Sequence, residues 1–264
     1  MTGLLFRRLL ALMLAIQLWP MAAGAGERVH VGVAANFKPL FAELAQRFEQ
    51  ESGHQVVISS ASSGKLFNQL HHGAPFQLFL SADLQRPQQL QQEGLTIPDS
   101  LFVYAIGRLV LWSPDPKRFA RGTEALMAGE LLKIALGNPR TVPYGKAAEE
   151  TLHNLGLSRS YAERLIVGED VGQVMAFALS GNVDAGFLSL AQILDPQGQP
   201  RPGSYWEVPA HLHQPIQQAG VRIKSAGATE ATLALVRYLR TPPVQALLQK
   251  RGYLLPPTPQ GEQP

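Results

Sequence analysis

Two short polar segments stand where a strand-like run of the sequence meets a helix-like run. Residues 59–64, with the sequence SSASSG, follow the apolar residues 56–58, and Asn36 follows the apolar residues 29–34. The first turn of a helix leaves backbone N–H groups without partners and carries a partial positive charge, so it attracts anions. Small hydroxyl residues add neutral donors and let a ligand approach the backbone. These segments therefore predict an anion site built from loop ends.

Charge and cysteine content narrow the possible classes of protein. The net charge is +3, of which Arg7 and Arg8 contribute two, and charged residues make up only 16% of the chain. With no basic run and a nearly neutral remainder, nucleic acid is not expected as a partner. The chain has no cysteine, which excludes disulfides, thiolate metal ligands and a lipid anchor on cysteine.

The first 25 residues have the pattern of a cleavable signal peptide. Arg7 and Arg8 precede an apolar run over residues 9–19, and residues 23–25 are small enough for cleavage. The alternative is an uncleaved membrane anchor, but the run is short for a bilayer span and Pro20 ends it. We expect export by the general secretory route to the periplasm and a mature chain that starts at residue 26 or 27.

Strand-like and helix-like segments alternate along the rest of the chain. This alternation predicts an α/β fold in which parallel sheets carry helices on both faces. Apolar residues 102–112 and residues 219–223 each cross between two such series. We expect two Rossmann-like lobes joined by these two crossing segments. The expected boundaries are residues 1–25 for the signal peptide, 27–106 plus 218–264 for lobe 1, and 107–217 for lobe 2.

Several polar residues also have a purely structural interpretation. Asn36 is a favourable N-cap for the helix that follows it, and Ser62 or Ser63 could cap the next one. Residues 169–170, Glu-Asp, are expected to cap a helix that starts near Val171. For Asn36 we expect both a capping and a ligand role, and Ser63 is the better ligand candidate of the serine pair.

A set of motifs, in this order and spacing, resembles the periplasmic molybdate-binding proteins of ABC uptake systems. The resemblance runs from residue 29 to residue 253. It implies the type II periplasmic binding protein fold, capture of molybdate and tungstate between the lobes, and delivery to an inner-membrane ABC permease. The motifs are VAANF at 33–37, ASSG at 61–64, GAPF at 73–76, LFLSAD at 78–83, GNP at 137–139, VPYG at 142–145 and EDV at 169–171.

The resemblance also implies which residues contact the oxyanion. Asn36 matches the polar residue of the family's first loop, and Ser63 the hydroxyl residue of the second. Tyr144 and Val171 match positions that offer a backbone N–H, and in some members the Tyr144 position uses a hydroxyl instead. Ser189 falls where some members carry a donating tyrosine and others do not. Molybdenum would enter only as molybdate, through the first four residues, in a monomer without a resident cofactor.

Other chemistries are weaker or stay open. Gly64-Lys65 lacks the remaining residues of a nucleotide-binding loop. The histidine pairs 71/72 and 211/213 could bind a metal, but the chain has no cysteine and no second paired helix pattern, so we expect them to be exposed to solvent instead. A secreted hydrolase using Ser63 or Ser189 lacks a Gly-x-Ser-x-Gly elbow, so we predict that the chain is not an enzyme. Within the binding proteins, sulfate, phosphate or a metal chelate remains an alternative ligand.

Overall fold

The computed structural model describes residues 26–226 and 229–257. The predicted signal peptide, residues 1–25, and the last seven residues of the chain lie outside this part. Within it, the strands are β1 (Arg28–Ala34), β2 (Gln55–Ala61), β3 (Leu78–Ser81), β4 (Phe102–Gly107), β5 (Leu109–Ser113), β6 (Ile134–Gly137), β7 (Leu165–Gly168), β8 (Ala185–Ser189), β9 (Ser204–Glu207) and β10 (Ile216–Arg222).

The α-helices of the described residues alternate with these strands along most of the chain. Three of them are single turns of four residues, and two 3₁₀ segments, Ala162–Arg164 and Ala210–Leu212, lie in the second half. The helices are α1 (Lys38–Ser52), α2 (Ser63–His71), α3 (Gln85–Gln92), α4 (Glu124–Met127), α5 (Pro143–Asn154), α6 (Ser158–Tyr161), α7 (Val171–Leu179), α8 (Leu190–Ile193), α9 (Glu230–Leu239) and α10 (Pro242–Lys250).

The strands form two five-stranded sheets, one in each lobe, which bears out the predicted two-lobed α/β architecture. The order in the first sheet is β2-β1-β3-β10-β4, and in the second it is β7-β6-β8-β5-β9. The chain passes from the first sheet to the second between β4 and β5 and returns between β9 and β10. These two connections correspond to the predicted crossing segments, although β10 starts at Ile216, three residues before the predicted crossing begins.

The predicted parallel pairing holds for three strands of each sheet, and each sheet also contains one reversed strand. Strands β2, β1 and β3 pair in parallel, and so do β7, β6 and β8. The reversed strands are β10 and β5, which pair antiparallel with both of their neighbours. Each of them enters its sheet from the other lobe. It therefore starts at the edge where the parallel strands end, and must run against them.

Local sequence signals explain the helices that frame the site. Helix α1 buries Leu40, Phe41, Leu44 and Phe48 on one face and ends where Gly53 adopts a left-handed φ of 75°. Helix α5 starts at Pro143, because proline is well suited to a first helical turn. Helix α3 was not predicted, since five of its eight residues are glutamine and few are apolar.

The hydrophobic cores follow the sheets. In the first lobe, β1 and α1 share a core with the two last helices through Leu235, Leu239 and Leu248. In the second lobe, Leu111, Leu136 and Phe187 on the sheet pack beneath α5. None of the helices in the described residues is long and apolar enough to cross a membrane. Because the chain crosses between the lobes at the ends of β4 and β9, the loops that follow the parallel strands of each sheet lie on the side of the other lobe.

Candidate ligand-binding site

One small cavity lies between the two lobes and gathers residues from five separate loops, one of which contributes Ala82. Asn36 and Ser63 line it from the first lobe, and Tyr144 and Val171 line it from the second. Its volume is about 10 Å³, against about 890 Å³ for the open groove along the neighbouring interlobe surface. In this arrangement of the lobes the cavity has room for about one water molecule, whereas the groove is far larger and open to solvent.

The four residues share a position relative to the sheets. Asn36 follows β1 and Ser63 follows β2, while Tyr144 and Val171 follow β6 and β7 after short loops. Parallel strands end at the same edge of a sheet, so these residues gather there, at the usual ligand-binding edge of an open α/β sheet. The backbone N–H groups of all four have no hydrogen-bond acceptor in the described part of the chain. Four backbone N–H groups without an acceptor thus belong to residues that line the same cavity.

Two of the helices at the cavity are capped in a way that leaves the first N–H unused. Ser62 Oγ accepts a hydrogen bond from the N–H of Lys65 at 3.4 Å at the start of α2. Asp170 Oδ1 accepts from the N–H groups of Gly172 at 2.8 Å and Gln173 at 3.0 Å at the start of α7. The predicted caps at residues 62 and 170 are confirmed. Each satisfies inner N–H groups and spares the N–H of the first helical residue.

The predicted capping role of Asn36 is wrong. The residue at the N-cap of α1 is Phe37, and no side chain bonds the first turn. The Asn36 side chain is buried and turns away from the helix: its Nδ2 donates to Gln218 Oε1 at 3.0 Å and to Tyr253 Oη at 3.4 Å. Polar partners in the interior thus outcompete the helix end for this amide. Asn36 therefore contributes its backbone N–H to the cavity, and its side-chain amide is used in the interior.

Ser63 adds a side-chain donor to the first-lobe wall. Its residue is 1% exposed, and its Oγ accepts a hydrogen bond from the N–H of Ala82 at 2.9 Å. A hydroxyl group carries one hydrogen and two acceptor lone pairs. Because the bond to Ala82 occupies a lone pair, the hydroxyl hydrogen is still free to point into the cavity.

Tyr144 presents its backbone and its side chain to different places. Its N–H is in the first turn of α5, whereas its buried hydroxyl accepts a hydrogen bond from Gln218 Nε2 at 2.9 Å. Burial raises the pKa of this hydroxyl well above the usual value, with the nearby Tyr253 raising it further. Hydrogen bonds with Ser189 and Gln218 lower the pKa only in part. The Tyr144 side chain is therefore neutral at physiological pH.

Ser189 does not line the cavity. It ends β8, is fully buried, and its N–H and Oγ both donate to Gln192 Oε1 at 3.1 Å. Its contact with the site is indirect, through the Tyr144 hydroxyl. The structure brings four of the five predicted residues together and places the fifth behind one of them. A ligand role for Ser189 stays a prediction.

The lobes touch beside the cavity through three polar contacts. The N–H of Gly64 donates to the Thr141 carbonyl oxygen at 2.9 Å, and Arg86 Nη2 donates to the Arg140 carbonyl oxygen at 2.7 Å. An exposed ion pair joins Lys65 to Glu169. A Cβ atom added to Gly64 would lie 2.7 Å from Thr141 Cα, so only glycine lets the two backbones approach this closely.

The electrostatics of the cavity come mostly from neutral groups. Within the described residues, its lining contains no lysine, arginine or histidine, and Asp170 is the one charged residue. The positive potential is supplied by the N-termini of α2, α5 and α7, whose dipoles point at the cavity. The described residues also hold no cluster of three metal-ligating side chains, and His71, one of the paired histidines, bonds Glu93 at 2.7 Å.

Sequence reasoning missed the residues that support this site from the hinge. Gln218, Tyr104 and Tyr253 are buried and bonded to one another or to Asn36. The available signal was a glutamine in β10 and a tyrosine in β4, two buried strands where an unpaired polar group would be costly. Gln218 bonds to residues 74, 114 and 182 positions away in sequence, so spacing could not reveal them.

Comparison with known proteins agrees with this architecture. The family model described as "Bacterial extracellular solute-binding protein" matches residues 29–254. The chain belongs to this family. Among curated relatives, this solute-binding protein is 37% identical over 234 residues to the molybdate-binding protein ModA of Rhodobacter capsulatus, covering 89% of this chain and 90% of that one. It is 38% identical to ModA of Azotobacter vinelandii, over 88% of this chain and 91% of that one.

A solved structure extends the match from sequence to fold. The periplasmic molybdate-binding protein of Azotobacter vinelandii superposes on this solute-binding protein with a TM-score of 0.81 at 37% sequence identity. The superposition covers 86% of this chain and 99% of the other. The relatives are thus binding proteins, and the shared region includes both lobes and the cavity between them.

Proposed function

We propose that this solute-binding protein captures molybdate in the cavity between its lobes. The observation that carries the proposal is the convergence of four free backbone N–H groups and the Ser63 hydroxyl, drawn from both lobes, on one small cavity. Such a site offers a tetrahedral dianion neutral donors from two opposite walls. The two relatives named for molybdate support this choice of anion.

Neutral donors are sufficient for useful affinity. A hydrogen bond to a charged group contributes roughly 1.5–3 kcal/mol, so five of them contribute on the order of 7–15 kcal/mol before desolvation and closure costs. A Kd of about 1 μM requires roughly 8 kcal/mol. The helix N-termini add to this sum because their dipoles also favour an anion. No lysine or arginine is needed in the cavity.

The wider biological assignment follows from the same proposal. The protein acts as a monomer in the periplasm, binds molybdate and similarly tungstate, and delivers the anion to an inner-membrane ABC permease. It needs no resident cofactor, and molybdenum enters only as the bound oxyanion. Closure of the lobes excludes water and creates the surface that the permease recognises. A hydrolase is not favoured, since the Ser63 and Ser189 hydroxyls bond no histidine among the described residues.

Phosphate is a second candidate ligand because of one observation. Asp170 lines the cavity, and within the described residues only its Oδ1 atom is engaged, by the N–H groups of α7. The other carboxylate oxygen could accept a hydrogen bond from a protonated phosphate, whereas molybdate is fully deprotonated and needs no acceptor. The two anions therefore make different demands on Asp170.

Calorimetric titration of the mature protein with molybdate, tungstate, sulfate and phosphate tests the proposal. We expect tight binding of molybdate and tungstate and no measurable heat with sulfate. Asp170→Asn serves as the matched variant: it keeps the shape of the cap and should leave molybdate binding in place. Tight phosphate binding without molybdate binding would overturn the proposal in favour of the second candidate.

A further inference from the structure

One side chain from the hinge touches both walls of the cavity. Gln218 lies in β10, the strand that returns from the second lobe, and is fully buried. Its Nε2 donates to the hydroxyl of Tyr144 at 2.9 Å. Its Oε1 accepts from Asn36 Nδ2 at 3.0 Å and from the Tyr104 hydroxyl at 3.1 Å. A single amide therefore links a cavity residue of the first lobe to one of the second.

The backbone is arranged to aim this amide. The pairing of β10 with β4 shifts register between Gln218 and Ala219, so that Gln218 is opposite Ala105, Ala219 is opposite Val103, and Tyr104 has no opposite residue. An extra residue of this kind is a β-bulge, which bends the strand and redirects side chains. Here it lets Tyr104 and Gln218 meet on the side of the sheet that faces the cavity residues.

Gly107 keeps the space for the bond across the lobes. A Cβ atom added there would lie 2.2 Å from Tyr144 Oη and 2.9 Å from Gln218 Nε2. Any side chain at this position would push the two groups apart. Gly107 is the last residue of β4, directly before the first crossing to the second lobe. The hydrogen bond between Gln218 and Tyr144 thus lies between the two crossing strands, β4 and β10. Its length therefore depends on the relative orientation of the lobes.

Because the Gln218 amide is buried, it must keep its hydrogen-bond partners, and this restricts where those partners can lie. A buried polar group that loses its partner costs more free energy than its bond contributes when formed. Gln218 meets both Asn36 and Tyr144 only at one relative placement of the two walls. Any other placement leaves an amide or a phenol unpaired inside the protein, so the network favours one separation of the free N–H groups.

We propose that Gln218 is a positioning residue that sets the separation of the two cavity walls and thereby the size of tetrahedral anion that the site accepts. This inference rests on the proposed function of the cavity. Gln218 makes no contact with the ligand in this scheme. It acts through Asn36 and Tyr144, whose backbone N–H groups it holds at the distance that suits the larger oxyanion.

The test is a double-mutant cycle measured by calorimetry with sodium molybdate and sodium sulfate. Gln218→Met preserves the side-chain size without the amide, and Tyr144→Phe removes the hydroxyl while keeping the backbone N–H. We expect each single change to weaken molybdate binding about tenfold, the value of one buried hydrogen bond. The double variant should be no weaker than the weaker single one, because both changes remove the same bond. The preference for molybdate over sulfate should shrink in all three.

Tyr161→Phe is the matched control. It removes a buried tyrosine hydroxyl that donates to the Leu126 carbonyl oxygen at 2.8 Å, away from the cavity and the hinge, so its molybdate affinity should stay within about twofold of the wild type. Losses that add in the double variant, or an unchanged anion preference in Gln218→Met, would overturn the positioning role. Should Gln218→Met fail to fold, Gly107→Ala gives the same test from the opposite side. Wild-type protein without molybdate binding would instead refute the proposed function itself.

Discussion

The two walls of the cavity are built on the same backbone plan and differ in what their side chains do. In each lobe, the lining residues follow the central parallel strand and one neighbour, which are β1 and β2 in the first lobe and β6 and β7 in the second. Ser63 offers a hydroxyl to the cavity, whereas Tyr144 sends its hydroxyl to the hinge and Val171 buries its side chain. The feature common to both walls is the free N–H. The comparison shows that the backbone supplies the symmetric part of the site.

The walls also differ in charge. The first-lobe wall has a neutral cap, Ser62, at the helix that carries Ser63, while the second has the carboxylate cap Asp170. A carboxylate at a helix N-terminus is favourable for the helix and unfavourable for a nearby dianion. Neutral donors on the first wall therefore contribute more to anion capture, and the second wall contributes closure.

Blocking the approach of the walls should have the largest effect. In Gly64→Ala, the new Cβ would lie 2.7 Å from Thr141 Cα and 2.8 Å from Thr141 Cβ, in the opposite lobe. The clash should hold the lobes apart and weaken molybdate binding by about 100-fold, in line with the cost of overpacking. Calorimetry would check the affinity, and small-angle X-ray scattering with molybdate would check the loss of closure.

Gly73→Ala is the control for this prediction. An added Cβ at Gly73 meets nothing within 4 Å, so the change costs only local strain from its φ of 79°. Its molybdate affinity should match the wild type even where its melting temperature falls. Equal affinity for the Gly64 variant and the wild type would show that the walls need not touch for binding.

Truncating one side chain on each wall should produce the next largest change in molybdate affinity, and the two walls should respond differently. Ser63→Ala removes a donor to a charged ligand and should weaken binding about tenfold or more. Val171→Ala keeps the backbone N–H and shortens a buried side chain, so it should lower stability but change affinity less than about threefold. Thermal shift with saturating molybdate would separate the two. A larger affinity loss in the Val171 variant would contradict the division of roles between the walls.

Much of the frame of the site could be predicted from the sequence, because its signals are local. The apolar runs before Asn36 and Ser63, the capping residues 62 and 170, and the helix over residues 171–179 all depend on neighbours within a few positions. One local signal gave a wrong prediction, because distant residues override it. Asn36 has the side chain of an N-cap, and only the folded interior shows that Gln218 and Tyr253 bind its amide instead.

The reversed strands and the hinge network could not be predicted in this way. The direction of β10 depends on which lobe the chain comes from, and periodicity within the strand carries no such information. The bond between Gln218 and Tyr144 joins residues 74 positions apart, and that between Gln218 and Asn36 spans 182. Such contacts are set by tertiary packing, which a single sequence reveals only after its topology is known.

Alkaline pH should disturb the hinge network that joins the walls. Burial raises the pKa values of Tyr104 and Tyr144 well above the usual tyrosine range, and raises that of Tyr253. The native state therefore holds these protons where the unfolded chain releases them, so stability is complete below about pH 10 and falls as the pH rises further. Tyrosinate absorbance should appear together with unfolding. Ionisation of all tyrosines in the folded protein would contradict the buried network.

The exposed ion pair between the walls should matter least. Lys65 and Glu169 are 49% and 68% exposed in their side chains, and the hydrogen bond from Lys65, then its charge, lowers the pKa of Glu169. Exposed pairs contribute little because solvent and salt screen them. Lys65→Gln should weaken molybdate binding by less than about threefold at low salt, with no difference from the wild type at high salt. A loss that persists at high salt would mean that Lys65 attracts the anion directly, and the first wall would then not be a neutral one.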